Sequence, residues 1–165
     1  MKRIYLLRHG KTEHPTGDKE DHERALLKAG RKDSHQIGLK LKNFGVLPEK
    51  VITSSAKRAK ETVGLCMEGW DDIHTDFIYN GFEVSNKLYS GSAQDYLEVI
   101  RSLPEKIGSV MVVGHNPTIE EFKEALSGSY TAVRPAQLLW FEVDVPKWAD
   151  IAFGLTPVRS GSIMP

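Results

Sequence analysis

Ser109-Val-Met-Val-Val113-Gly114-His115-Asn116-Pro117 is the stretch on which the fold turns. Five residues without a charge end at a glycine, a histidine and a proline. A continuous apolar run of this length reads as a strand covered on both faces, the pattern of a parallel sheet. Pro117 suits the first turn of a following helix, and Ile119, Phe122 and Leu126 recur at helical spacing on its inner face. The N-terminus repeats the pattern. Residues 3–8 hold the short apolar run Ile4-Tyr5-Leu6-Leu7 and lead to Arg8-His9-Gly10, where the glycine lets the chain turn.

Working outward, residues 11–24 are polar and without period, and read as a surface loop. From Lys28 to Phe44 the spacing of Ile37, Leu41 and Phe44 predicts a helix stopped by Gly45. Val51-Ile52-Thr53 reads as a short strand. Ser54 and Ser55 are N-cap candidates for a helix through about Met67, with Ala59, Val63 and Cys66 inside. A weak strand is expected near Ile73–Ile78. Ser92 and Asp95 read as a loose capping box for a helix carrying Tyr96, Leu97 and Ile100. Residues 137–145 and 149–155 read as two last strands. Strand–helix alternation predicts an α/β fold: one domain over residues 1–165, with three α/β/α layers and a mostly parallel central sheet.

Bulk properties exclude several classes. Lys+Arg and Asp+Glu both number 22, so there is no net positive charge for gripping a nucleic-acid backbone. Any anion site must be a local cluster. No apolar run resembles a signal peptide or a membrane span. A single cysteine, Cys66, cannot form an intrachain disulfide. The expectation is a soluble cytoplasmic protein with no nucleic-acid or membrane partner. Trp70, Trp140 and Trp148 read as packing residues, and Cys66 as part of a helix's buried face.

Ligands of open parallel sheets bind beyond the carboxyl ends of the strands. Three strands converge there: the first ends at Arg8-His9, the second leads to Ser54-Ser55 and Arg58, and the third ends at Gly114-His115-Asn116. Guanidinium forks match phosphate oxygens. Helix N-termini add free N–H groups. A neutral imidazole is a nucleophile able to form a covalent intermediate, and nearby arginines disfavour its protonation until a bound phosphate reverses their field. His14, Asp18, Asp21 and His22 lack a recognised ligand spacing and read as a solvated loop rather than a metal site.

These segments together resemble the histidine phosphatase superfamily, and within it the small SixA-like phosphohistidine phosphatases. Leu7-Arg8-His9-Gly10-Lys11 is similar to the family's first-strand signature. Arg24-Ala-Leu-Leu-Lys-Ala-Gly30 resembles the branch's Arg-Pro-Leu-Thr-x-x-Gly. Ser54-Ser55-Ala-Lys-Arg58-Ala-Lys-Glu-Thr62 resembles its Ser-Pro-x-x-Arg-Ala-x-x-Thr, and Leu88-Tyr89 and Val113-Gly114-His115-Asn116-Pro117 complete the order. Ala25, Leu27 and Ser55-Ala56 depart from the pattern but leave the charged positions in place.

The resemblance implies a phosphoglycerate-mutase-like fold and a metal-independent phosphatase without a cofactor. His9 would be the nucleophile. Arg8 and Arg58 would hold phosphate oxygens, and His115 would donate to the transferring group. Arg24 and Asn116 would add phosphate contacts. Glu83 is the candidate general acid in the 79–91 stretch. The expected partner is a phosphorylated substrate, with a phosphohistidine-bearing protein foremost. A small-molecule phosphomonoesterase or phosphosugar phosphatase or mutase, and a noncatalytic phosphoprotein-binding module, remain open.

Overall fold

Residues 109–114, all buried, run up the middle of a single sheet. The computed structural model describes residues 1–45, 47–71 and 81–165. In chain order these form β1 (Lys2–Arg8), α1 (Lys28–Phe44), β2 (Lys50–Ser54), α2 (Lys57–Asp71), β3 (Glu83–Ser85), α3 (Lys87–Ser90), α4 (Ala93–Arg101), β4 (Ser109–Gly114), α5 (Thr118–Ser127), β5 (Leu138–Val143) and β6 (Arg159–Ile163), with short 3-10 turns at Asp21–Glu23 and Trp148–Asp150. The strand order is β3-β2-β4-β1-β5-β6. The first four strands are parallel, and β5 and β6 are antiparallel additions.

Alternation along each strand sorts the core into two layers, because successive side chains point to opposite faces. Tyr5, Leu7, Val51, Met111, Val113 and Leu138 pack against Ile37 and Leu41 of α1 and Ala59, Val63, Cys66 and Trp70 of α2. Ile4, Leu6, Ile52, Val110, Val112 and Leu139 pack against α4, α5 and Trp148. The expected three-layer α/β/α fold with a mostly parallel sheet is the one observed.

Several local readings need correction. Phe44 is 59% exposed, so the buried stripe of α1 ends at Leu41. The second helix starts later than expected, because Ala56 supplies the carbonyl that the Ala59 and Lys60 N–H groups bond. Ser54 belongs to β2, and its Oγ accepts from the Ala56 N–H. The helix then continues past Met67 to Asp71. Residues 149–155 are not a strand. Ile151 is buried and Phe153 and Leu155 pack on the core, but the Gly154 N–H donates to Ala125 on α5, so this segment lies over a helix. The last strand is 159–163 instead. The strand expected near Ile73–Ile78 lies outside the described residues. α1 and the full capping box of Ser92 and Asp95 match their expected places.

Candidate active site

Strand register brings the site together. Arg8 is level with Gly114, so the residues that follow, His9 and His115, leave neighbouring strands side by side. Their ring centroids are 5.2 Å apart. On the far side of β4, Thr53 is level with Val113, which puts Ser54 beside the same rim. Arg58 follows on the first turn of α2. Gly114 admits no side chain here: a Cβ would lie 2.1 Å from the Tyr96 hydroxyl oxygen. That hydroxyl donates to the Leu88 carbonyl at 2.8 Å and accepts from the His115 N–H at 3.3 Å, fixing where β4 ends. Burial pushes the Tyr96 pKa up to about 12, so the hydroxyl keeps its proton.

Hydrogen bonds define the state of both imidazoles. His9 Nδ1 lies 2.7 Å from the Gly10 carbonyl oxygen. Only a protonated Nδ1 satisfies that contact, so in neutral His9 the lone pair is on Nε2. Burial, helped by Arg58, Arg8 and Arg24, lowers the His9 pKa to about 4 despite the opposing bond to Gly10. His115 Nε2 lies 2.7 Å from Ser54 Oγ. Because Ser54 Oγ already accepts from Ala56, its proton is available to Nε2. With Ser54 as the donor to Nε2, the neutral ring carries its hydrogen on Nδ1, which is buried and has no partner. Burial, then the neighbouring His9 and Arg58, lower the His115 pKa to about 3.

Each arginine is held on one edge. Arg8 Nη1 donates to the Val133 carbonyl at 2.7 Å, and its Nε is buried without a partner. Arg58 donates from Nη1 to the Asp21 carbonyl at 2.8 Å and from Nη2 to the Asp21 carboxylate at 3.1 Å, and its Nε is likewise buried and unpartnered. Two guanidinium groups and an imidazole N–H therefore keep donors in reserve around a neutral histidine. Such a set of fixed donors suits an oxyanion.

The other expected site residues lie elsewhere or are engaged. Arg24 binds the Asp21 carboxylate through Nε at 3.0 Å and Nη2 at 2.8 Å, and Thr12 Oγ1 and the Glu13 carbonyl through Nη1. It meets the site through Asp21 rather than with an open fork. Asn116 Nδ2 donates to Glu120 at 2.8 Å and to the Val133 carbonyl at 3.0 Å, so its amide ties down the segment that holds Arg8. Glu83 does not join the group. It stands level with Ile52, two residues back from the rim, and pairs with Lys50 at 2.6 Å.

Asp21, His22 and Tyr89 were not anticipated as parts of the site. Asp21 binds both Arg58 and Arg24 and accepts from the Tyr89 hydroxyl at 2.9 Å. These bonds outweigh desolvation and lower its pKa to about 2. His22 lies 3.0 Å from Ser55 Oγ and packs edge-on against Tyr89. The available signal was the opposite-charge pair Asp21-x-x-Arg24 at a one-turn spacing. Among the described residues, no group of three or more His, Cys, Asp or Glu side chains is placed to hold a metal ion.

The fold and these converging groups define an α/β protein that gathers two arginines and two histidines at the carboxyl ends of its parallel strands. The model of the histidine phosphatase superfamily (branch 1) matches residues 4–78. The structure of the protein histidine phosphatase SixA complexed with tungstate has the same fold, with a TM-score of 0.80 at 19% identity over 99% of this chain and 97% of that one. A protein of Agrobacterium tumefaciens assigned as the phosphohistidine phosphatase SixA gives a TM-score of 0.78 at 22% identity, over 99% and 98%. A mycobacterial glucosyl-3-phosphoglycerate phosphatase also shares the fold, with a TM-score of 0.64 at 15% identity, over 95% and 98%. In sequence, an uncharacterised chloroplast protein of Arabidopsis thaliana is 27% identical over 161 residues, which is 94% of this chain and 72% of the relative.

Proposed function

We propose that this protein is a metal-independent phosphatase that removes the phosphoryl group from phosphohistidine in a protein, through a covalent intermediate on His9. The observation that carries this reading is the protonation pattern of the pocket. His9 is neutral with its lone pair on Nε2, and it stands among the unpartnered N–H groups of Arg8, Arg58 and His115. His9 Nε2 attacks phosphorus, the bond from phosphorus to the substrate's ring nitrogen breaks with its electron pair left on that nitrogen, and the proton on the ring's other nitrogen makes the leaving group a neutral imidazole. The arginines and the His115 Nδ1–H hold the equatorial oxygens as charge redistributes. Water then attacks phosphorus, the bond to His9 breaks, and inorganic phosphate leaves with His9 neutral again.

The leaving group favours this substrate over alkyl phosphates. An alkoxide needs a proton from a positioned acid. The carboxylate on the pocket's arginines, Asp21, is ionised with a pKa near 2, and Glu83 is paired with Lys50. A phosphoimidazole that carries a proton on its other ring nitrogen releases a neutral imidazole without such help, a good leaving group because its conjugate acid has a pKa of about 6.5. The binding of tungstate by a structural relative fits the same oxyanion chemistry. Among the described residues, no helix is long and apolar enough to cross a membrane. A cytoplasmic location is part of the same proposal, supported by a lone, buried Cys66 that cannot pair within the chain.

The test is hydrolysis of a phosphohistidine protein, an aryl phosphate and a phosphosugar side by side, with and without chelator. Turnover of the first two should exceed the third and survive chelation. Labelled phosphate should be trapped on the wild type and not on His9→Ala. Equal kcat/KM on the phosphosugar makes the protein a general phosphomonoesterase, and a label that persists on His9→Ala removes His9 from the mechanism.

A further inference from the structure

Arg58 grows from the first turn of α2 and is 5% exposed. A guanidinium on a flexible stem binds a phosphoryl group well only if its plane is fixed beforehand, because the freezing of its rotamers otherwise counts against binding. Asp21 fixes that plane from one residue. Its carbonyl takes Nη1 and its carboxylate takes Nη2, which leaves the buried Nε without a partner.

Asp21 itself sits on an exposed turn and would wander without support. Three contacts hold it. Arg24, three residues on, binds Oδ1 through Nε and Nη2, and Tyr89 on α3 donates to Oδ2. Arg24 is anchored in turn to Thr12 and Glu13. Thr12 bridges to Leu26, whose N–H donates to Glu61 on α2, so the loop is tied back to the helix that bears Arg58. The bonds form a closed circuit from α2 through the loop and back to the guanidinium.

We propose that Asp21, held by Arg24 and Tyr89, is a positioning residue that aims the free edge of Arg58 at the phosphoryl group. The inference rests on the phosphatase reading for its substrate, but the circuit acts on any phosphate in the pocket. It also assigns Arg24 a role different from the one its basic character implies: Arg24 acts through Asp21 and not as a phosphate ligand. The competing role for Asp21 has the opposite sign. If its carboxylate merely occupied the place of the phosphoryl oxygens, its removal would open the pocket.

A double-mutant cycle separates these, read by calorimetric binding of inorganic phosphate and by kcat/KM. Asp21→Asn keeps the size of the side chain and loses its charge. Phosphate binding should weaken about tenfold in Asp21→Asn, the scale of one charge-assisted contact. Arg24→Gln should weaken it similarly, and the two together no further. In an Arg58→Ala background, Asp21→Asn should add nothing. A merely structural role would instead lower the urea midpoint and weaken phosphate in both backgrounds equally. Tighter phosphate in Asp21→Asn, an unchanged affinity, or an equal loss without Arg58 would each overturn the proposal. Because phosphate binding needs no turnover, an inactive wild type that still binds phosphate would sink the phosphatase reading and leave the Asp21 circuit standing.

Discussion

His9 and His115 lie against each other in a pocket that also holds two arginines, and charge on either ring would be repelled by the rest. Burial first, and then these charges, depress the two pKa values to about 4 and about 3. An ordinary histidine would lose half its nucleophilic form near pH 6.5. A depressed pKa keeps the neutral form further into acid, and kcat/KM reports the free enzyme. For an aryl phosphate, after correction for the substrate's own ionisation, kcat/KM should therefore stay flat from pH 7 to about pH 5. An acid limb centred near 6.5 would mean that the pocket does not hold His9 neutral. Arg58→Ala should cost on the order of 2–4 kcal/mol in transition-state binding, by analogy with the loss of an oxyanion-hole donor. A drop in kcat/KM of less than about fivefold would remove Arg58 from the reacting group.

At the scale of elements, the long amphipathic helix, the capped helix and the apolar strand were legible because local pattern and burial agree there. Lys28–Phe44 ends at left-handed Gly45, and Ser92 and Asp95 close their box. The strands that give the site its two histidines were legible for the same reason. Elements that depend on partners were not. Residues 149–155 have the composition of a strand but bury Ile151 and pack Phe153 against Phe122 of α5, a choice made by tertiary contacts. β6 is largely exposed and carries two serines and a glycine, so no apolar alternation marks it. Asp21 reads as a solvated loop carboxylate until the loop folds back onto Arg58. Packing of α1 on α2 makes a sharper demand. At Gly38 a Cβ would stand 1.9 Å from the Cys66 carbonyl oxygen, a backbone atom that cannot step aside. Gly38→Ala should destabilise the fold by about 1–3 kcal/mol or more, the range for overpacking. Urea unfolding measures this, and an unchanged midpoint would show that the helices separate without cost.

For the whole molecule, the two buried imidazoles link the chemistry of the pocket to the stability of the fold. Their pKa values are lower in the folded state than the usual 6.5 of an unfolded chain. The unfolded state thus binds more protons between those values, and stability must rise with pH across that window. The contribution is fully present above about pH 6.5 and is lost progressively as pH falls toward the folded values near 4 and 3. Between pH 7 and pH 5 each histidine should cost on the order of 2 kcal/mol, since one pKa unit is about 1.4 kcal/mol. Asp21 adds its own loss only in stronger acid, because its pKa is held near 2. His9→Asn and His115→Asn should each flatten the pH dependence by about half, whatever they do to stability at pH 7. Removal of one imidazole removes one proton-uptake site from the unfolded chain, so the slope isolates that group. Urea midpoints for the wild type and both variants at pH 7, 6 and 5 supply the test. Parallel slopes in all three proteins would show that both histidines are free to protonate in the folded pocket.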